Sequence, residues 1–345
     1  MKILLYTTAL VLIGSCASLS HKEKIQAIKD NIVIHKPSQL KKYANTISKN
    51  ELKEHLYIFS ADSLLGRRVG NPGQKKGVKY LKDFYINEGI ASPYGNGNYY
   101  QDIPKSFFKD EYNDSENVLA FIEGSEKPNE VIVISAHHDH EGVDTDGDVY
   151  NGADDNGSGS IALLEMAQAF KKAKADGFGP KRSILFLHLT AEEIGLQGSL
   201  FYTENPVFPL KNTMVNLNID MIGRIDKYHQ DNTNYIYLIG ADRLSTELHY
   251  ISEAVNNAFY NFEFDYKYNA KNEYNSYYYR SDHYNFAKNN IPVIFYFNGE
   301  HDDYHKPSDT PDKIDYELLE KRTRLIFSTA WQLANQKERL VLDKL

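Results

Sequence analysis

The sequence predicts an α/β fold of three layers, a mostly parallel central sheet with helices on both faces. Three observations carry this. Six short runs, at 118–122, 131–135, 184–189, 215–219, 235–239 and 292–297, are almost wholly apolar, the pattern of strands buried on both faces. Stretches of helical spacing separate several of them, as βαβ units require. The chain has 345 residues, 41% of them hydrophobic, enough for one large core.

Taken in order, Lys2, an apolar run over 3–14 and then Ser15-Cys16-Ala17-Ser18 have the charged, apolar and small-residue order of a secretory signal. The run is too short to span a bilayer. Ile13-Gly14-Ser15-Cys16 also resembles the bacterial lipobox, in which the cysteine is lipidated and becomes the first mature residue. Residues 1–20 are therefore read as a signal peptide with a lipobox-like Cys16, and the chain as an exported cell-envelope lipoprotein held to a membrane by that lipid, on a periplasmic or outer-membrane face. A plain signal cut after Ala17, giving a secreted protein, is the simpler alternative. Residues 21–115 are read as an N-terminal tether and helical extension: 21–56 hold eight Lys against four Asp and Glu, a solvated lead-in merging into a helix at 51–59. Residues 116–345 form the main domain. Its helices are predicted at 161–172, where Ile161, Leu164 and Ala167 share a face, at 244–259, and after Asp315, which can cap a closing helix carrying Leu318, Leu325, Ile326 and Leu333.

Composition narrows the function. A net charge of −8 argues against nucleic acid as a partner. One cysteine permits no intramolecular disulfide, cysteine zinc finger or thiol pair. Chemistry must rest on His, Asp, Glu, Ser or Thr.

Such residues collect where strands end, the edge at which open α/β sheets gather reactive groups. The run 131–136 ends in His137, His138, Asp139 and His140. A glycine-rich turn, GADDNGSG over 152–159, follows and carries Asp154 and Asp155. Glu192 and Glu193 follow the run 184–189, Asp220 follows 215–219, and the loop after 292–297 carries His301, Tyr304 and His305. Each piece alone is an ordinary turn or surface pair; together they place five convergent ligands at one sheet edge. Three carboxylates (Asp154, Glu193, Asp220) and two neutral imidazoles (His137, His305) balance two divalent cations and one bridging hydroxide, whereas without metal the carboxylates would repel. Ligation by nitrogen and oxygen alone suits zinc, with manganese or cobalt as substitutes. Asp139, two residues after His137, is placed to accept the second ring N–H.

The set resembles the M28 family of metallopeptidases, co-catalytic di-zinc exopeptidases that include secreted bacterial aminopeptidases. The resemblance rests on His137 with Asp139, the 152–159 turn, AEEIG at 191–195, NIDMIG at 218–223, Ser281-Asp282-His283, Tyr304-His305 and Ser308-Asp309-Thr310, in family order over about 115–340. The segments 60–67 and 70–73 resemble the stretch preceding the family's catalytic core. The resemblance implies two Zn²⁺ bridged by Asp154, with His137 and Asp220 on one and Glu193 and His305 on the other. It further implies a cis peptide between Asp154 and Asp155, Glu192 as general base, Tyr304 stabilising the oxyanion, and peptides as substrates. Asp155, Asp282 and His283 would support the ligands, and Arg280 would orient substrate.

Asp144 to Asp148 looks like a calcium loop, but its glycine falls one place early and it lacks the closing glutamate; it reads as an acidic surface loop. The tyrosine-rich tract 260–284 reads as packing or as a substrate rim. The functional rivals are a carboxypeptidase of the same family, a single-zinc glutaminyl cyclase and a non-catalytic surface lipoprotein. Cyclases carry Trp before the last His, where this chain has Tyr304, and lack the GADDN turn. A binding protein would be expected to lose a ligand, and none is missing.

Overall fold

A computed structural model describes residues 20–344; the signal-like run and Cys16 lie outside the described residues. The described residues begin with three helices, α1 (His21–Asn31), α2 (Pro37–Ala44) and α3 (Lys49–Phe59), then α4 (Pro72–Asn87). Strands β1 (Tyr100–Ile103), β2 (Ser115–Ile122) and β3 (Lys127–His137) follow, then a small hairpin of β4 (Gly142–Val143) and β5 (Val149–Tyr150). After α5 (Gly159–Ala175) come β6 (Arg182–Leu189), α6 (Gln197–Glu204), β7 (Thr213–Ile219), β8 (Tyr235–Ile239) and α7 (Thr246–Phe259). The chain closes with β9 (Glu263–Asp265), α8 (His283–Ala287), β10 (Val293–Phe297) and α9 (Tyr316–Asn335), the last capped by Asp315 accepting from Glu317 N and Leu318 N.

Eight strands form one sheet in the order β1-β2-β6-β3-β7-β10-β8-β9. The four central strands, β6, β3, β7 and β10, are mutually parallel, while β2 and β8 join them antiparallel. Strand alternation then divides the core. Ile132, Ile134, Ile184, Phe186, Val215 and Leu217 face a thick layer built by α2, α3, α4, α5, α7 and α9. Val131, Val133, Leu185 and Leu187 face a thin layer holding Tyr202 of α6 and Phe286 of α8. Because the central strands run in parallel, their carboxyl ends share one edge.

The tether reading of 21–56 does not hold. Leu40, Tyr43, Leu52, Leu56 and Phe59 are fully buried in the main core, and Tyr43 stacks on Trp331 of α9 with ring centroids 5.8 Å apart. The lysines occupy the outward faces of helices whose inward faces are apolar, so net charge concealed their amphipathicity. β1 likewise pairs with β2, so the extension is part of the same fold.

Candidate metal and catalytic centre

His137 is the last residue of β3 and is 1% exposed. Its Nδ1 lies 3.2 Å from the Asp139 backbone carbonyl, leaving Nε2 to face Asp155 Oδ1 at 3.3 Å and Asp220 Oδ1 at 3.4 Å. The Asp139 carboxylate, expected to take that ring N–H, is farther, at 3.7 Å; it accepts instead from the backbone N–H of Glu192 at 3.2 Å.

The carboxylate at the centre is Asp155, which corrects the assignment to Asp154. Asp155 Oδ1 faces His137 and Oδ2 lies 3.0 Å from His305 Nε2. Asp154 turns away: its Oδ1 accepts from Gly223 N at 2.6 Å and its Oδ2 lies 3.2 Å from His301 Nε2. The backbone dictates this division. Asp309 accepts from the N–H groups of both residues, and Gly152, at φ +53°, lets the turn fold so tightly that a Cβ there would stand 2.2 Å from the Asp155 carbonyl. The cis peptide joins Asp155 to Asn156, one bond later than expected. Asn156 then ties the turn to β7, donating to Ile219 O and accepting from Gly159 N.

The other expected ligands converge on Asp155. Glu193 Oε2 lies 3.2 Å from His305 Nε2, and its Oε1 is 2.8 Å from His140 Nδ1. Asp220 Oδ2 accepts from Ser281 Oγ, which itself accepts from Asn218 Nδ2. Two pairs result, His137 with Asp220 and Glu193 with His305, and Asp155 presents one oxygen to each. Glu192 stands beside the first pair, near enough for its carboxylate to meet His137 and Asp220 as a ligand group. Tyr304 stacks on His305 at 3.9 Å and lines the cavity with Glu192.

The electrostatics call for positive charge. Burial pushes Glu192 well above the usual carboxylate range, and the charges of Asp220 and Glu193 push the same way. Burial raises Asp220 too. Burial opposes a charged His305, yet its bonds to Asp155 and Glu193 carry the imidazole up to about 11. The same opposition at His137 is overcome chiefly by Asp220 and Glu192. Divalent cations placed among these groups would favour the charged carboxylates that burial opposes, and the donors are the nitrogen and oxygen ligands zinc accepts.

Of the remaining expected residues, Asp282 is buried, which pushes its carboxyl up to about 7. His283 stacks on Phe295 at 4.9 Å, and burial pushes it down to about 3; it is a packing residue. Arg280 stands at the mouth of the site, over the Tyr277 ring and 3.7 Å from Glu300. The tyrosine tract supplies both packing and rim: Tyr268 and Tyr277 are buried, while Tyr279 and Tyr284 border an open cleft of about 550 Å³ beside Glu192 and His305. Asp144 accepts from the N–H groups of Asp146 and Asp148 at the tip of the β4–β5 hairpin, an ordinary turn. Two further residues support the ligands. His140, expected near the site but given no ligand role, orients Glu193, and Glu141, which the sequence did not single out, stands 3.7 Å from His305 Nδ1. A larger cavity, about 790 Å³ between α1 and the end of α9, contains none of these residues.

Residues 117–330 match the sequence description of peptidase family M28. Aminopeptidase YwaD of Bacillus subtilis is 34% identical over 115 residues, 32% of this chain and 22% of that protein. A probable glutamate carboxypeptidase of Arthroderma benhamiae is 37% identical over 114 residues, 33% of this chain and 15% of that protein. The matched stretches thus span less than a quarter of either relative. Among solved structures, LapB from Legionella pneumophila superposes with a TM-score of 0.70 at 19% identity, over 92% of this chain and 82% of that one. BSAP, a zinc aminopeptidase from Bacillus subtilis, gives 0.64 at 14% identity over 84% and 96%. Porphyromonas gingivalis glutaminyl cyclase gives 0.66 at 18% identity over 83% and 98%.

Proposed function

Because this chain belongs to peptidase family M28, we propose that it is a di-zinc exopeptidase that removes N-terminal residues from peptides. The observation that carries the reading is Asp155, whose two oxygens face two separate His–carboxylate pairs. His137 and Asp220 would hold one ion and Glu193 and His305 the other. Bound there, two divalent ions supply Lewis acidity toward a scissile carbonyl and make water easier to deprotonate. Glu192, held by the Asp139 bond to its N–H, takes the proton of the attacking water and delivers it to the departing amine nitrogen. Burial keeps the Tyr304 hydroxyl far above its usual range and so protonated; it donates to the carbonyl oxygen as negative charge develops there.

The N-terminal preference rests on charge. A carboxypeptidase needs a free cation for the substrate carboxylate, and Arg280, the arginine at the mouth, already faces Glu300. The carboxyl groups lining the cavity that this reading leaves without an ion, those of Glu192 and Glu300, suit an ammonium better than a carboxylate. The deciding assay compares free and N-acetylated forms of one peptide on zinc-loaded protein. Cleavage that requires the free amine supports the reading; release of the C-terminal residue from the acetylated form overturns it.

We further propose that the chain is exported and anchored by lipid on Cys16, from the order of residues 2–17. Mass spectrometry of the native protein should find a lipidated N-terminal Cys16. A mature chain starting at Ala17 or later would contradict this.

A further inference from the structure

Arg67 closes a short 3₁₀ turn, Asp62–Arg67, well before the residues that match the family. It is 1% exposed, and its guanidinium donates to four backbone carbonyls. Nε bonds His138 O at 2.9 Å, Nη1 bonds Phe59 O at 2.9 Å and Asn151 O at 2.7 Å, and Nη2 bonds Gly152 O at 2.8 Å. The side chain forms none of the described ion pairs.

The positions of those carbonyls matter. His138 follows His137, where the chain leaves β3. Asn151 and Gly152 stand at the far end of the excursion that carries the β4–β5 hairpin, just before Asp154 and Asp155. One planar group therefore holds both ends of the excursion together, and His137 and Asp155 face each other at 3.3 Å across that closure. Arg67 is itself fixed. Its guanidinium lies 4.7 Å from the Phe59 ring centroid, and Gly66, at φ +59°, packs so closely that a Cβ would stand 2.2 Å from Gly142 O. A lysine could keep the charge but not the fork that reaches four acceptors.

We propose that Arg67 is a positioning residue for the metal centre: by clamping both ends of the 138–152 excursion it sets the separation of His137 and Asp155, so the N-terminal segment is a working part of the site. The inference rests on the zinc reading above. Its test compares zinc affinity, by competition with a chromophoric chelator at 10 °C, in the full chain and in R67K, R67M and F59L, with thermal midpoints recorded for each. R182K is the control, because Arg182 is equally buried and donates to Leu333 O and Gln336 O at the far end of the sheet. R67K and R67M should bind zinc about 10- to 100-fold more weakly, the usual worth of residues that orient ligands. F59L, which keeps the position apolar but removes the ring beneath the guanidinium, should show a smaller loss of the same kind. R182K should lower the midpoint and leave zinc affinity within about twofold. Folded R67K that binds zinc like the parent overturns the proposal; should neither Arg67 variant fold, unchanged affinity in F59L does so. If the parent itself binds no zinc, the zinc reading fails first, which separates the two failures.

Discussion

Glu192 and Glu193 are adjacent, yet the site divides their work by geometry. Glu193 is tied on one oxygen to His140 and on the other to His305, while Glu192 has its backbone N–H held by Asp139 and its carboxyl raised by burial. E192Q should therefore retain metal and substrate affinity and lose roughly 10²- to 10⁴-fold in kcat, the usual worth of a positioned general base; single-turnover rates and metal analysis on one preparation check this. Metal loss equal to that of E193Q would contradict the division. Most of the centre was legible because His137, Glu193 and Asp220 follow apolar strands whose ends must coincide. The choice between Asp154 and Asp155 was not, because the turn that carries them has no period to project onto a face. Its direction depends on Asp309, more than 150 residues away, and on Gly152.

At the level of elements, α3 and α5 meet through a buried carboxyl. Glu165 of α5 accepts from Ser48 N, the N-cap of α3, at 2.9 Å, and burial pushes its carboxyl up to about 8. The folded chain then holds a proton that the unfolded chain releases near pH 4.5, so this group's contribution to stability falls as pH rises from about 4.5 through 8. E165Q keeps an acceptor for Ser48 and removes the penalty. Its thermal midpoint should exceed the parent's by roughly 2–4 °C at pH 8.5 and match it at pH 4.5; an equal loss at both pH values would contradict the assignment. The strands and α5, α7 and α9 were legible from apolar runs and helical spacing. The packing of α2 and α3 was not, because their lysines dominate the composition, and only the spacing of Leu52, Leu56 and Phe59 marks a buried face.

For the molecule as a whole, parallel strands bring residues from 137 to 305 to one edge, and the N-terminal helices complete the layer that supports it. Among the described residues no helix is long and apolar enough to cross a membrane. The proposed chemistry depends on two cations sharing one carboxylate. Titration of metal-stripped protein with zinc, read as bound equivalents, tests it most directly. The parent should bind two equivalents, D155N should lose affinity at both sites, and D154N should keep two, weakened only indirectly through its contacts with Gly223 and His301. A single equivalent in the parent, or a D154N variant that loses both ions while D155N retains them, would contradict it.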